Sequence, residues 1–262
     1  MPLRVGFDLD GTVADMFSAL HREAVKLFGE DVLRKAESKE SKPAAGAKRA
    51  AAGQAEVAAS TASKAIQDKS AEPDEDAKTN IAIQELHLSA RQQVQLWDHV
   101  KKFENFWTTL PELEPGIIAR IAKAARERRW EVIFLTTRPS TAGDLVQLQS
   151  QQWLDAHGFQ YPSVYVVQRS RGRIADALAL DAFVDDRPEN CLDIAVESKA
   201  KVILVWHGNP KDVPAGAKRL GVRPVTTISE AMQILEQLDD ARNQPGLMRS
   251  IKRAFGREPS DP

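Results

Sequence analysis

The sequence predicts an α/β protein built on a doubly wound parallel sheet, and three observations support this prediction. From Pro115 onward, short apolar segments alternate with longer segments of helical periodicity, as in parallel sheets with crossover helices. The apolar segments lack the polar alternation of half-exposed strands, which indicates strands covered by helices on both faces. Polar side chains end three of the predicted strands, where such sheets bind ligands. These residues are Asp8, Thr136 and Asp185.

The first part of the chain contains one predicted strand and one predicted helix before its composition changes. Residues 3–7 form an apolar run typical of a buried strand, and residues 17–28 place apolar side chains on one helical face. No Phe, Tyr or Trp occurs over residues 29–96, and residues 42–79 are mainly Ala, Lys, Ser, Gly and acidic residues. Such a segment buries too little apolar surface to offset its ordering entropy. We therefore expect a flexible insertion at about 34–79.

The rest of the chain reads as a regular series of elements. Helical spacing returns near Ile81 and ends at Pro111 and Pro115, and a final helix is predicted over about 229–242. The basic tail, residues 241–262, could contact an anionic surface, although a solvated or packed end is the simpler interpretation. Between Pro115 and the final helix, the pattern predicts helices at 116–128, 141–156, 171–179 and 188–197 and strands at 131–136, 164–167, 183–185 and 201–206.

Charge and composition argue against several function classes. Lys and Arg total 36 against 37 Asp and Glu, so the net charge of -1 gives no strong signal for a nucleic-acid or membrane partner. The single Cys191 cannot form an internal disulfide, and no apolar run approaches the ~20 residues of a membrane span. The first strand follows Met-Pro-Leu-Arg directly, which leaves no room for a signal peptide, so we expect a cytoplasmic protein. The oligomeric state stays open.

Two carboxylates one residue apart end the first apolar segment, in the run VGFDLDGT. At a strand end Asp8 and Asp10 point to the same side and concentrate negative charge that needs a cation or a shared proton. A metal-dependent phosphoryl-transfer site meets that need, and Mg²⁺ suits an all-oxygen ligand set. Gly11 permits a tight turn that frees backbone N–H groups for phosphoryl oxygens, and Thr12 is a further substrate-binding candidate. The alternative is an acidic turn after an ordinary strand.

Two later strands also end in polar side chains. The hydroxyl of Thr136 could hold a phosphoryl oxygen, and Thr137 and Arg138 follow it as candidate substrate contacts. However, Thr is common in strands, and an arginine beside a proline is often simply solvated. Asp185 and Asp186 could complete a metal site, or they could instead cap the helix that follows.

These segments resemble the signatures of the haloacid dehalogenase superfamily. The run VGFDLDGT, closed by Asp15, resembles the first signature, and the segments ending in the Thr pair and the Asp pair resemble the second and fourth. The resemblance implies that Asp8 is a nucleophile that becomes a transient aspartyl phosphate. It also implies that Asp10 acts as acid and base, with its backbone carbonyl on the metal. The implied Mg²⁺ site comprises Asp8, Asp10, Asp185 and Asp186.

The third signature is where this sequence departs from the superfamily. The superfamily places a lysine ahead of the fourth signature, whereas residues 168–174 contain arginines and no lysine. Arg171 aligns best by its spacing to Ile174, and Arg173 is the alternative. Arginine keeps the charge but presents a planar fork in place of a point charge. A catalytically weakened binding or regulatory protein is therefore a rival hypothesis.

Between the first and second signatures, the superfamily carries a cap over the site. Residues 103–116 resemble the corresponding part of the 5'(3')-deoxyribonucleotidases, whose caps stack a base on aromatic rings. Phe106 and Trp107 are then candidate stacking residues, or alternatively they anchor the cap to the core. The implied plan is a core at 1–15 and 114–240 and a small helical cap at 16–113, inserted after the first strand.

The sequence thus predicts a Mg²⁺-dependent phosphomonoester hydrolase. The resemblance implies a small phosphorylated substrate such as a (deoxy)nucleoside monophosphate. The predicted catalytic residues are Asp8, Asp10, Thr136 and Arg171. A phosphatase that acts on nucleic-acid ends is a further alternative, with the insertion and the basic tail as tethers.

Overall fold

The computed structural model describes residues 2–30 and 86–243 of the 262-residue chain. The predicted insertion at 34–79 and the predicted return of order near Ile81 lie outside the described residues. So does the tail at 241–262, except for its first three residues, which are helical. Within the described residues, no helix is both long enough and apolar enough to cross a membrane.

Six strands form one parallel sheet. Their bounds are β1 Arg4–Asp8, β2 Glu131–Thr136, β3 Ser163–Val166, β4 Ala182–Asp185, β5 Lys201–Val205 and β6 Arg223–Val225. The strand order is β3-β2-β1-β4-β5-β6, so the chain builds β2 and β3 on one side of β1 and then crosses to build the other side. The carboxyl end of β1 is therefore the point where the winding reverses, and the predicted doubly wound sheet is confirmed.

Eight α-helices accompany this sheet in the described residues. Two three-residue 3₁₀ helices lie at Phe106–Thr108 and Pro210–Asp212. The α-helices are α1 Met16–Phe28, α2 Ala90–Lys102, α3 Ile117–Arg128, α4 Val146–Ala156, α5 Arg171–Ala177, α6 Pro188–Glu197, α7 Ala215–Arg219 and α8 Ile228–Asn243.

Helix starts differ from the predicted ones where a cap or a turn intervenes. α2 begins at Ala90, because Ser89 forms a capping box with Gln92, and the residues just before it are not helical. α4 begins at Val146 and not at 141, because the chain first turns through Gly143, whose φ is +91°. In both places local backbone chemistry overrides the apolar periodicity.

The sequence did not predict α7 and β6. α7 has only five residues, which is too short to show a helical period. β6 has three residues, and Pro224 lies in its middle. A proline is tolerated there because β6 is an edge strand, where a missing N–H costs the sheet no ladder bond.

Helices bury both faces of the sheet. Val5 and Phe7 point to the face covered by α1, α2, α3, α4 and α8. The other face packs against α5, α6 and α7. Gly6 points to this second face, where an added Cβ would lie 2.3 Å from the ring of Phe183, so only glycine lets β1 and β4 pack at this distance. The interior positions of the central strands are therefore apolar, and their polar residues lie at the strand ends.

Candidate active site

The carboxyl ends of β1, β2 and β4 bring three of the predicted residues to one edge of the sheet. Asp8 is the last residue of β1, Thr136 of β2 and Asp185 of β4. β1 pairs in parallel with β2 on one side and with β4 on the other. The three residues therefore gather at the crevice where the winding reverses, which is where sheets of this class bind ligands.

Arg171, the first residue of α5, points into this crevice. Its Nη1 donates to Asp8 Oδ1 at 2.5 Å and to Asp185 Oδ2 at 2.7 Å. Its Nη2 donates to Thr137 Oγ1 at 3.2 Å. We call Asp8, Asp185, Asp186 and Arg171 the acidic cluster. It contains three carboxylates and one guanidinium.

The pKa values in the acidic cluster show that its negative charge is not balanced. Burial raises the pKa of Asp8 from 3.8 to about 7, with Arg171 opposing this rise and Asp185 adding to it. Burial also raises the pKa of Asp185. The pKa of Asp186 rises well above its usual range through burial and the charges of Asp185 and Asp8. The charges of Arg171 and Arg187 both lower the pKa of Asp185 but do not offset its burial. Such a site favours a further cation.

The geometry of the three acids suits a divalent metal ion. Asp8, Asp185 and Asp186 can each offer one carboxylate oxygen, and these oxygens lie within 4.8 Å of one another. Asn190 Nδ2 lies 3.1 Å from both oxygens of Asp185, and the N–H of Arg187 donates to Asp185 Oδ1 at 2.9 Å. These bonds orient Asp185, as outer partners orient metal ligands. Oxygen-only ligands with surplus negative charge fit Mg²⁺.

Asp10 lies beside the acidic cluster but is held by different partners. Arg138 Nε donates to Asp10 Oδ2 at 2.9 Å, and Arg138 Nη2 donates to Asp10 Oδ1 at 2.7 Å. Thr136 Oγ1 donates to Asp10 Oδ2 at 3.2 Å. The Asp10 carboxylate is thus not among the three that could hold a metal. Arg138, a predicted substrate contact, is instead buried against Asp10.

The turn after β1 depends on its glycine. Gly11 has a φ of +84°, and an added Cβ would lie 2.2 Å from Asp186 Oδ2. The N–H of Gly11 donates to the Ala14 carbonyl at 2.9 Å, so it serves the turn itself. Thr12 Oγ1 donates to Asp186 Oδ1 at 3.1 Å. His207 Nε2 lies 2.9 Å from the Gly11 carbonyl oxygen, a contact from the loop after β5 that no sequence spacing indicates.

Only one of the two candidate arginines on α5 reaches the acidic cluster. The side chain of Arg173 is 81% exposed, and its Nε pairs with Glu197 Oε2 at 3.2 Å. Residues two apart on a helix point to nearly opposite sides, so Arg171 and Arg173 cannot both enter the crevice. The sequence alternative in which Arg173 replaces the lysine is therefore not the arrangement in this structure.

Phe106 and Trp107, the predicted stacking residues, are completely buried. Their rings meet edge to face with centroids 5.1 Å apart, and Trp107 Nε1 donates to the Pro139 carbonyl at 3.0 Å. Neither ring presents a face to solvent, so neither could stack on a base without moving. Their placement corresponds to the alternative in which they anchor this segment to the core.

Comparison with known proteins identifies the fold. No protein-family model matches the sequence, and no characterised protein matches it by sequence. A dehalogenase solved with an intermediate complex is 15% identical, covers 89% of this chain and 96% of its own, and gives a TM-score of 0.51.

Two further solved structures are similar over most of their length. A predicted phosphatase from Clostridium acetobutylicum is 13% identical over 90% of this chain and 99% of that chain, with a TM-score of 0.49. A HAD family hydrolase from Deinococcus radiodurans R1 with bound phosphate and sodium is 13% identical over 88% and 93%, with a TM-score of 0.46. The match to the dehalogenase shows that the chain has the haloacid dehalogenase-like fold, as its motifs predict.

Proposed function

We propose that this chain, which has the haloacid dehalogenase-like fold, is a Mg²⁺-dependent phosphomonoester hydrolase that uses Asp8 as its nucleophile. The observation that carries the proposal is the acidic cluster at the winding-reversal point, where three carboxylates lie together and Arg171 donates to only two of them, Asp8 and Asp185. Surplus buried negative charge has no structural benefit, because it repels itself and lacks water. It becomes favourable when a metal ion and a phosphoryl group occupy the same crevice.

The two half-reactions assign a role to each side chain. An oxygen of Asp8 forms a bond to phosphorus as the bond from phosphorus to the ester oxygen breaks, and Asp10 gives the leaving oxygen a proton. Asp10 then takes a proton from water, the water oxygen forms a bond to phosphorus, and the bond from phosphorus to Asp8 breaks with its electron pair returning to Asp8. Arg171, on Asp8 Oδ1, keeps the nucleophile in place through both steps.

The metal would be held by Asp8, Asp185 and Asp186, and when bound it would neutralise charge on the transferred phosphoryl group. Thr136 and Thr137 stand at the end of β2, beside Asp10 and Arg171 respectively, where their hydroxyls can turn toward phosphoryl oxygens. The chain's own positive charge at the nucleophile comes from Arg171.

For the substrate we propose a small phosphomonoester, with nucleoside monophosphates as the first to test. The nucleotidase-like segment at 103–116 supports this choice. However, base stacking would need rings other than the buried Phe106 and Trp107. The site therefore supports phosphomonoester hydrolysis more strongly than it supports a nucleotide as the substrate.

The test is phosphate release by the purified protein from nucleotides, sugar phosphates, an aryl phosphate and a 5'-phosphorylated oligonucleotide, with Mg²⁺ or with EDTA. We expect Asp8→Asn to lose turnover by about 10³-fold or more, because it removes the nucleophile. Asp181→Asn is the matched control, since Asp181 precedes β4 at the opposite edge of the sheet and pairs with Arg242. It should keep wild-type turnover.

Two outcomes would contradict the proposal. Equal metal-dependent phosphate release by the wild type and Asp8→Asn would mean that the activity does not come from this site. No release from any substrate would indicate a binding or regulatory protein on the same fold. Release from the oligonucleotide alone would move the substrate to nucleic-acid ends.

A further inference from the structure

Arg138 is buried, and hydrogen bonds and one aromatic ring fix its orientation. Its side chain has no exposed surface, and its guanidinium forms a fork on the two carboxylate oxygens of Asp10. Nη1 donates to Ser150 Oγ at 2.9 Å, and the hydroxyl of Ser150 donates to the Val146 carbonyl at 2.8 Å. The guanidinium carbon lies 4.9 Å from the centre of the Trp107 ring. All three guanidinium nitrogens and one face are therefore engaged.

Ser150 and Trp107, which contact Arg138, lie on helices and form hydrogen bonds of their own. Ser150 is in α4, which packs on the sheet, and its hydroxyl accepts from the arginine because it donates to its own helix. The indole Nε1–H of Trp107 donates a hydrogen bond to the Pro139 carbonyl, and its backbone N–H donates to Gln149 Oε1 at 3.1 Å. A guanidinium with this many fixed partners loses little freedom when it holds a carboxylate.

We infer that Arg138 is a positioning residue for Asp10, and that Ser150 and Trp107 support it. This inference rests on the proposed function. The fork holds the Asp10 carboxylate as a hydrogen-bond acceptor beside Thr136 at the end of β2, and an acceptor is the form that a base needs. Arg138 is itself shielded from substrate. It acts through Asp10, whose direction depends on α4 and on the 3₁₀ helix at 106–108.

The step most sensitive to this positioning is hydrolysis of the phosphorylated enzyme. Asp10 removes a proton from water, the water oxygen bonds to phosphorus, and the bond from phosphorus to Asp8 breaks with its electron pair returning to Asp8. Phosphorylation of Asp8 by an aryl phosphate depends less on Asp10, because a nitrophenolate leaves without a proton. A misdirected Asp10 should therefore slow the second step and spare the first.

The test is pre-steady-state hydrolysis of p-nitrophenyl phosphate with Mg²⁺ by wild type and Arg138→Ala. We expect kcat to fall by about 10²-fold in the variant while kcat/KM changes much less. We also expect a burst of nitrophenol close to one equivalent, with a phosphorylated protein detected by mass. Arg128→Ala is the matched control, because Arg128 pairs with the buried Asp239 at the other end of β2. It should show neither the kcat loss nor the burst.

Further variants keep the inference testable if Arg138→Ala does not fold. Ser150→Ala should give a smaller fall in kcat with the same burst, and Arg138→Lys should be intermediate, since it keeps charge but not the fork. In an Asp10→Asn background, Arg138→Ala should add no further loss. Equal falls in kcat and kcat/KM without a burst would overturn the positioning role. If instead the wild type releases no nitrophenol, the proposed function fails first.

Discussion

Asp8 and Glu23 expose equally little surface, but Asp8 lies deeper in the protein and the charges around the two carboxyls differ. Asp8 is 3% exposed and Glu23 is 2% exposed. Around Glu23, on α1, the partners are basic: Lys26 Nζ at 2.8 Å, His99 Nε2 at 3.1 Å and Arg22 Nε at 3.5 Å. Around Asp8, acids outnumber the single Arg171. The negative charge of a carboxylate is therefore balanced by basic partners at Glu23 but not at Asp8.

The pKa values follow this difference. Burial pushes the pKa of both carboxyls upward, but at Glu23 the hydrogen bonds from Lys26 and His99 outweigh burial and bring the pKa below its ordinary value. At Asp8 burial prevails, and the pKa rises to about 7. A small exposed surface alone therefore does not identify a candidate functional acid. A stronger indication is an acid that lies deep in the protein and whose neighbours do not offset the cost of burying its charge.

Removing the one base of the acidic cluster should have the largest effect on stability. Arg171→Ala leaves three carboxylates without a buried cation, and we expect the free energy of unfolding in EDTA to fall by about 3–5 kcal/mol. Urea unfolding monitored by circular dichroism measures this loss. Excess Mg²⁺ should restore a substantial part of it, because the ion replaces the lost positive charge.

Arg173→Ala is the matched variant for this experiment, since its side chain is exposed and lies outside the cluster. Its effect on stability should be within about 0.5 kcal/mol. If Mg²⁺ stabilised wild type and Arg171→Ala by equal amounts, the idea that the cluster lacks positive charge would be wrong.

Removing the acid of the balanced group should have a moderate and pH-dependent effect. Glu23→Gln should lower the free energy of unfolding by about 1 kcal/mol at pH 7, because Lys26 and His99 lose a charged acceptor. The folded-state pKa of Glu23 is depressed, so its contribution is present above the ordinary value of 4.5 and is lost as the pH falls below it. The free energies of unfolding of the wild type and Glu23→Gln should therefore converge as the pH falls below 4.5. A constant difference across that range would mean that the charge of Glu23 is not what stabilises the contact between α1 and α2.

Removing a surplus acid should have the smallest effect, and in the opposite direction. Asp186→Asn keeps an acceptor for Thr12 Oγ1 and removes an acid whose charged form is disfavoured by folding, so we expect the free energy of unfolding in EDTA to rise by about 0.5 kcal/mol. The same variant should be stabilised less by Mg²⁺ than the wild type. Thermal unfolding with and without the ion measures both effects. A less stable variant in EDTA would show that the charge on Asp186 is already compensated.

The sequence predicted the parts of the site that depend on strand ends. Asp8, Thr136 and Asp185 were recognisable because each follows an apolar run, and parallel strands bring their carboxyl ends to one edge. Arg171 was recognisable by its spacing within a signature. The alternation of elements was enough to predict the fold class, whereas the strand order is known only from the structure.

The contacts that depend on helix packing were not predictable. Arg138 faces Asp10 in a pocket that includes Ser150 of α4, and this contact is not visible in the sequence. Whether Phe106 and Trp107 are open or buried depends on how that segment packs against α4, and an aromatic pair looks the same in either case. Local sequence specifies residue types, whereas these partners are set by the angle between elements far apart in the chain.

The central position of β1 also determines when the site can come into existence during folding. Arg4 pairs with Glu131, and Val5 pairs with Ala182, so both neighbours of β1 are distant along the chain. Each pairing closes a long loop, which makes folding slow compared with the formation of local helices. A nascent chain that ends before α5 contains Asp8 and Asp10 but lacks Arg171, Asp185 and Asp186. Its first carboxylates are then ordinary solvated acids, and Asp8 joins the buried acidic cluster only when the second half of the sheet docks.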